Sequence, residues 1–280
     1  MHRSCQPSLG AFALAFAAAM TPSWLRAEDA GAPALWEIGA VGVAVSQQAY
    51  PGAAEHVSRA LALPFLIYRG KFLRADRDGV GIRAVKTPAI EVDIGVAGSF
   101  GSNADEVQIR QGMPDLGTLV EFGPRLKWNI GRGPGNGRLR LELPLRGVFD
   151  LNDRLAAKGL AFEPELIFER VALGGWSYRS GLGAVLGNQR LADTLYGVAA
   201  PYATAARPAY GADAGLINWR LSASASHDIS PDLRLFGFAR LDSVAGAANQ
   251  SSPLVQRKTG TSIGLGLTYT WQRSQSRAAD

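Results

Sequence analysis

The sequence predicts an all-β protein, a transmembrane antiparallel up-and-down β-barrel of about 12 strands. Three observations predict it. Long stretches alternate apolar and polar residues, the spacers between them alternate short and long, and most tryptophans fall at one end of the strands. A strand puts successive side chains on opposite faces, so alternation means one apolar and one polar face. In a barrel those faces meet lipid and lumen, and aromatic residues mark the water boundary.

Composition permits this class without announcing it. An apolar fraction of 47% is ordinary for a globular chain, and half of every barrel strand faces a polar interior. The net charge of +5 is spread along the chain with no run of Lys and Arg, which argues against nucleic acid as a partner. Cys5 is the only cysteine, so an internal disulfide is excluded.

Residues 1–27 read as a signal peptide. His2 and Arg3 open it, Leu9 to Met20 is an Ala-rich apolar run, and Leu25-Arg26-Ala27 precedes the acidic Glu28-Asp29. The apolar run is too short for a membrane helix, which needs about 20 residues. Residues 28–280 are then expected to form a single outer-membrane barrel domain, exported across the inner membrane. Strands are expected near 35–46, 59–69, 71–75, 79–85, 89–100, 118–130, 138–149, 159–170, 175–187, 213–226, 232–242 and 259–271, with a short tail at 272–280.

The alternation is clearest in four of these. In 118–130, Val120, Phe122, Leu126, Trp128 and Ile130 oppose Glu121, Arg125, Lys127 and Asn129. In 138–149, Leu139, Leu141, Leu143 and Leu145 oppose Arg138, Arg140, Glu142 and Arg146. Leu160, Phe162, Leu166 and Phe168 oppose Glu163 and Glu165. In the last strand Ile263, Leu265, Leu267, Tyr269 and Trp271 oppose Ser262, Gly264, Gly266, Thr268 and Thr270. Such runs exceed the soluble strand of about five or six residues and match the 9–11 or so of a tilted membrane strand. Pro144 and Pro164 interrupt two of them, each removing a ladder donor.

Short turns are expected at Arg69-Gly70, Lys86-Thr87, Gly131 to Asn136, Leu173-Gly174 and His227 to Pro231. Longer loops are expected at 47–58, 101–117, 150–158, 188–212 and 243–258, and a short one at 76–78. Barrels place short turns in the periplasm and long loops outside. Trp36, Trp128, Trp176 and Trp271 fall at the short-turn ends of their strands, and Trp219 does not. A soluble β-sandwich explains alternation in one strand, but neither the run lengths nor the alternating connections.

Several segments resemble the MltA-interacting protein/OmpV family of outer-membrane proteins. They are Ala49-Tyr50-Pro51-Gly52, the run from Pro64 to Leu73, Gly79-Val80-Gly81-Ile82, Leu195-Tyr196-Gly197-Val198, and Ser251-Ser252-Pro253-Leu254-Val255. The resemblance implies an outer-membrane barrel. It also implies a scaffold that brings a murein transglycosylase together with a murein synthase, or a surface antigen, and it supplies no catalytic residues. Family members end on an aromatic residue, whereas Gln272 to Asp280 follow Trp271 here.

Candidate chemistry is sparse, and no catalytic, cofactor-binding or metal-ligating residue is assigned. His56 is expected in an outer loop, flanked by Ser46 and Ser58, and His227 in an inner turn on the other side of the membrane. A lipid-modifying enzyme would need a Ser–His pair with an orienting third residue, and none is evident. The glycine-rich 131–137 lacks the Lys-Ser/Thr of a phosphate loop and reads as a tight turn. Asp76, Asp78, Asp105, Asp115, Asp150 and Asp153 are expected in outer loops, as solvated charge or at cations bridging lipopolysaccharide. Tyr196, Gly197, Ser252 and Pro253 are expected to fix loop folds. The lumen face should carry Glu121, Arg125, Lys127, Arg138, Arg140, Glu142, Arg146, Glu163 and Glu165, paired across strands and filling the interior. The expected function is a non-enzymatic envelope scaffold in contact with outer-membrane lipid and lipopolysaccharide, with a narrow solute pore as the alternative.

Overall fold

A computed structural model describes residues 33–70, 73–76, 79–171 and 174–278. The expected signal peptide, 1–27, and the start of the mature domain lie outside the described residues. No described helix is long and apolar enough to cross a membrane.

Thirteen strands among the described residues form one antiparallel sheet. They are β1 (Trp36–Gln48), β2 (His56–Arg69), β3 (Leu73–Asp76), β4 (Gly79–Lys86), β5 (Ile90–Ser99), β6 (Leu119–Arg132), β7 (Arg138–Asp150), β8 (Ala156–Phe162), β9 (Glu165–Val171), β10 (Trp176–Gly187), β11 (Gly215–Asp228), β12 (Leu233–Ser243) and β13 (Thr259–Arg273). β8 and β9 are one expected strand broken at Glu163-Pro164. Both halves lie along β7, against Leu145 to Asp150 and Arg138 to Glu142. Pro164 has no N–H to give the ladder, and its carbonyl accepts from Ala184 N at 3.1 Å instead. The barrel thus has twelve staves. Pro144 is tolerated within β7, opposite Arg125.

The sheet closes because β13 pairs with β1 from Glu37–Arg273 to Ser46–Ile263, and β10 pairs with β11. The β3–β4 hairpin is short, so among the described residues β2 meets β3 only at Tyr68 and Arg69, and its edge from His56 to Ile67 has no ladder partner on that side. The apolar faces point outward as the alternation predicts: Phe122, Trp128, Leu166, Leu221, Leu265 and Tyr269 are exposed, and Trp271 is 58% exposed. Their alternating neighbours Arg125, Lys127, Arg140, Glu142 and Ser262 are buried in the interior.

Four expectations change. The spacer at 150–158 is a five-residue turn, Leu151 to Leu155, because β7 and β8 run further. His56 opens β2 and His227 lies within β11, so neither is in a loop or turn. The last strand runs to Arg273, and the tail continues its pairing. Ser274 N donates to Trp36 O at 2.9 Å, Leu35 N to Ser276 O at 2.9 Å, and Ala278 N to Pro33 O at 2.8 Å.

The polarity of β2 is also unexpected. Its inward residues are Leu61, Leu63, Phe65 and Ile67, and its outward ones include Ala60, Ala62 and Pro64. Phe65 packs inside the barrel with Val41 and Phe236, against Val43, Leu63 and Ile67. Facing glycines make room for the rings: a Cβ at Gly264 would overlap Phe238, and one at Gly266 would overlap Phe236. The lumen therefore has an apolar wall on β12, β1 and β2.

Trp271 meets lipid on the strand that closes the ring, whereas the tail only extends that strand. Trp271→Asp is expected to reduce the heat-modifiable folded band on a denaturing gel well below that of a chain lacking 274–280. Comparing the two bands in isolated envelopes checks this.

Candidate interaction site: an ion-pair belt and a loop cap

The charged residues of β5, β6, β7, β9 and β10 meet in one continuous belt inside the barrel. Asp93 takes a two-pronged bond from Arg125, at 2.9 and 2.7 Å. Lys127 bridges Glu91 at 2.9 Å and Asp93 at 3.0 Å. Arg125 reaches Glu142 at 3.6 Å, Arg140 joins Glu142 at 2.8 Å and Glu169 at 2.9 Å, and Arg179 joins Glu169 at 3.2 Å. Strand alternation aims these side chains at one space, and the small radius brings neighbours within reach. Arg140 and Glu169 keep only 5% and 4% of their side-chain surface exposed. Charges so enclosed hold their places only when paired.

A second group lies on the long-loop side of the belt. Arg146 pairs with Glu163 at 2.8 Å and Glu121 at 3.4 Å. Asp242 receives Arg220 at 2.9 Å, Arg240 at 2.8 Å and the Asn218 amide at 2.7 Å. Glu37 pairs with Arg69 at 2.7 Å near the chain ends. Of the expected lumen residues, Glu121, Arg125, Lys127, Arg140, Glu142, Arg146 and Glu163 are thus brought together, Glu165 lies 3.9 Å from Arg179, and Arg138 is not placed in the belt. Glu91, Asp93, Glu169, Arg179, Arg220 and Asp242 complete the network, and the same alternation in their own strands signals them.

The largest apolar core sits at one mouth of the barrel, formed by the loops 49–55, 100–118, 188–214 and 244–258. Tyr50, Ala53, Val107, Tyr196, Val198, Ala212 and Leu254 are buried together there, above Val57, Val185 and Ile217 of the wall. Helix α1 (Gln189–Tyr196) contributes Ala192 and Tyr196, and the Asn188 side chain caps it by accepting from Leu191 N at 3.1 Å. The Tyr50 hydroxyl donates to Leu254 O at 2.7 Å, Tyr196 to Pro51 O at 3.0 Å, and Ser252 to Tyr196 O at 2.8 Å. The two phenol rings meet edge-on at 6.4 Å. Two buried arginines staple the loops through backbone carbonyls. Arg207 donates to Ile109 O at 2.6 Å and Tyr202 O at 2.6 Å, and Arg110 to Leu195 O and Pro114 O. Burial pushes both the Tyr50 and Tyr196 hydroxyls well above their ordinary 10.0.

The remaining candidates fall elsewhere. His56 and His227 stand at opposite ends of the barrel. The His56 ring meets Thr261 O at 3.0 Å, and among the described residues no hydrogen bond joins it to Ser46 or Ser58, which face each other across β1 and β2. His227 stacks on Trp176 at 4.8 Å. Gly131 and Arg132 end β6, and Gly133 to Gly137 is a tight turn with Gly135 and Asn136 at positive φ. Asp150 is buried and accepts from Asn152 N, and Asp153 pairs with Lys158. Asp115 accepts from Ala104 N, and Asp105 lies in the short helical turn 104–106. Asp76 ends β3, so it is not in a loop, and Asp78 lies outside the described residues. Among the described residues no acidic, His or Cys cluster could hold a metal ion.

The profile of the MltA-interacting protein MipA family matches residues 38–271. The chain belongs to this family. No curated protein matches the sequence. The fold is similar to the NanC porin, at 9% identity and TM-score 0.42, covering 83% of this chain and 100% of that one. It is also similar to Pseudomonas putida OprB, at 7% identity and TM-score 0.41, covering 85% and 94%. This MipA-family barrel gathers in its cap three of the segments that carry the sequence resemblance, those containing Tyr50, Tyr196 and Ser252. In the same cap a Cβ at Gly197 would press on Asp193 O at 2.6 Å, which explains its glycine. Pro253 sits part-buried beside Ser252.

Tyr196→Ala is expected to cost the cap roughly 3–5 kcal/mol, the range for losing a large buried aromatic side chain, and to expose its loops to protease while the folded band persists. The neutral phenols favour the folded cap fully below pH 10.0, the ordinary phenol value. As pH rises from there toward their raised folded values, that stability is lost. Protease nicking should therefore accelerate above about pH 10 in the parent chain. Tyr50→Phe with Tyr196→Phe should abolish this acceleration, as timed digestion across pH would show.

Proposed function

We propose that this outer-membrane barrel is a non-enzymatic scaffold that works through its surfaces and conducts no solute. The observation that carries the reading is the double filling of the interior. A belt of paired charges occupies the lumen from β5 to β10, and an apolar cap covers the mouth beyond it. A pore selective for one sign would more naturally line its path with rings of one charge. Bulk water has little room beside side chains that keep so little exposed surface.

The family is described as an MltA-interacting protein; a murein transglycosylase is therefore the proposed partner, and a murein synthase is the natural second client of such a scaffold. Murein lies in the periplasm, which puts these partners at the rim of short turns and chain ends. That rim presents exposed Lys86, Arg132 and Arg170. The outward apolar face meets outer-membrane lipid, and the long-loop rim meets lipopolysaccharide.

In planar bilayers the purified protein is expected to show little steady conductance, while Arg125→Ala with Arg140→Ala should raise it. Large, stable single-step openings from the unaltered protein would replace the scaffold with the narrow pore. Cross-linking in intact envelopes, read by mass spectrometry, should recover a murein-cleaving enzyme on the periplasmic rim.

A further inference from the structure

The lumen residues beneath the cap, across from the belt, do not share the belt's tight filling. Arg220 and Arg240 stand within the barrel wall on β11 and β12, yet keep 25% and 32% of their side-chain surface exposed. Mid-strand residues that point inward touch open space only inside the barrel. Both guanidiniums lean on the one carboxylate of Asp242. Among the described residues Arg220 has no further hydrogen-bond acceptor, and Arg240 has only Ser262 Oγ at 3.4 Å. The other carboxylates whose fields reach Arg220 are Glu121, Glu163 and Glu165, and Glu121 leans on Arg146 at 3.4 Å. Glu163 is held by Arg146 at 2.8 Å, and Glu165 accepts from Ser222 at 2.8 Å. Donors on the arginine pair are left facing the lumen.

The apolar wall begins directly beside this pair. Phe238 and Phe236 follow Arg240 at two-residue steps on the same face of β12. Across the glycines of β13 the wall continues through Val43 and Val41 to Leu61, Leu63 and Ile67. Val43, Leu61, Leu63 and Ile67 are only part-buried although they point inward, and the wall ends at β2, whose far edge meets β3 only at Tyr68 and Arg69 among the described residues. Apolar surface left against lumen water costs roughly 25 cal/mol per Å2, and a hydrocarbon chain laid along it would recover that.

We propose that the lumen beneath the cap, along the β11, β12, β1 and β2 wall across from the belt, is a binding site for a single-chain amphiphile with a carboxylate head, such as a medium-chain fatty acid. The head sits on Arg220 and Arg240, whose planar forks match a carboxylate, and the chain lies along Phe238, Phe236, Val43, Leu61 and Leu63. The site is closed above by the cap, so it holds a ligand and does not pass one through. It stands apart from the scaffold reading, since neither the belt nor the periplasmic rim takes part.

The test is calorimetric titration of the full folded barrel, held in a maltoside detergent, with sodium laurate. One laurate per barrel is expected. Dodecyltrimethylammonium, dodecanol and acetate, each carrying only half the chemistry, should bind at least about tenfold more weakly, a difference of roughly 1.4 kcal/mol. Arg220→Gln with Arg240→Gln and, separately, Leu63→Asn should each weaken laurate by a similar factor. Leu265→Asn, on the outward face, should leave it unchanged. The ligand comparison uses the unaltered chain, so it stands even where a variant misfolds. Equal binding of the cationic amphiphile, or an equal loss in Leu265→Asn, would assign the laurate to the detergent-facing surface and overturn the site, as would no saturable binding.

Discussion

The pairing of β13 with β1 turns an open sheet into a ring, and the rest of the molecule follows from that ring. Lipid offers no partner to a strand edge, so backbone N–H and C=O groups in the span are answered by neighbouring strands, except along β2 from His56 to Ile67, whose β3 side carries no ladder among the described residues. Once the ring is closed, each strand has one face to lipid and one to a narrow interior. Charged residues on the inner face lose access to bulk water and must find each other. Asp93 with Arg125, and Glu169 with Arg140, are the outcome.

The same enclosure explains why the main apolar core lies in the loops. The wall of a barrel offers only shallow packing between strands, so aromatic and aliphatic loop residues collect over the mouth instead. Tyr50, Tyr196 and Ser252 come from three loops and bind one another through hydroxyl-to-carbonyl bonds and ring contact. Arg110 and Arg207 act there by donating to loop carbonyls. Belt and cap therefore solve two versions of one problem: polar groups shut away from water need designated partners.

Much of the fold was legible in the sequence, because lipid imposes a strict pattern on β6, β7 and β13. Leucines and aromatics at every second residue of these strands can only face outward. β2 carried no such signal. Its inner face holds Leu61, Leu63 and Phe65 and its outer face Ala60 and Ala62, so both sides read as apolar and neither direction is marked. The break at Pro164 was visible as an irregularity, but not the way β8 and β9 share the same neighbour. Charges on β6, β7 and at Glu163 and Glu165 were read as lumen residues, and alternation marks those of β5 and β10 too, but which of them pair required knowing which strands adjoin. The cap was illegible as a unit, since Tyr50, Tyr196 and Ser252 are distant in the chain. Its traces were Tyr196, Gly197, Ser252 and Pro253, legible as residues that fix loop folds but not as residues that meet one another.

The central claim is that belt and cap together shut the interior. Cysteine accessibility tests it most directly, because Cys5 is the only native cysteine. In a chain carrying Cys5→Ser, Ser262→Cys places a thiol on the lumen face beneath the cap, and Ser251→Cys places one on an exposed loop. With a membrane-impermeant thiol reagent on intact cells, the account predicts prompt labelling of the Ser251→Cys chain and none of the Ser262→Cys chain until it is denatured. Labelling of both at the same rate would contradict it.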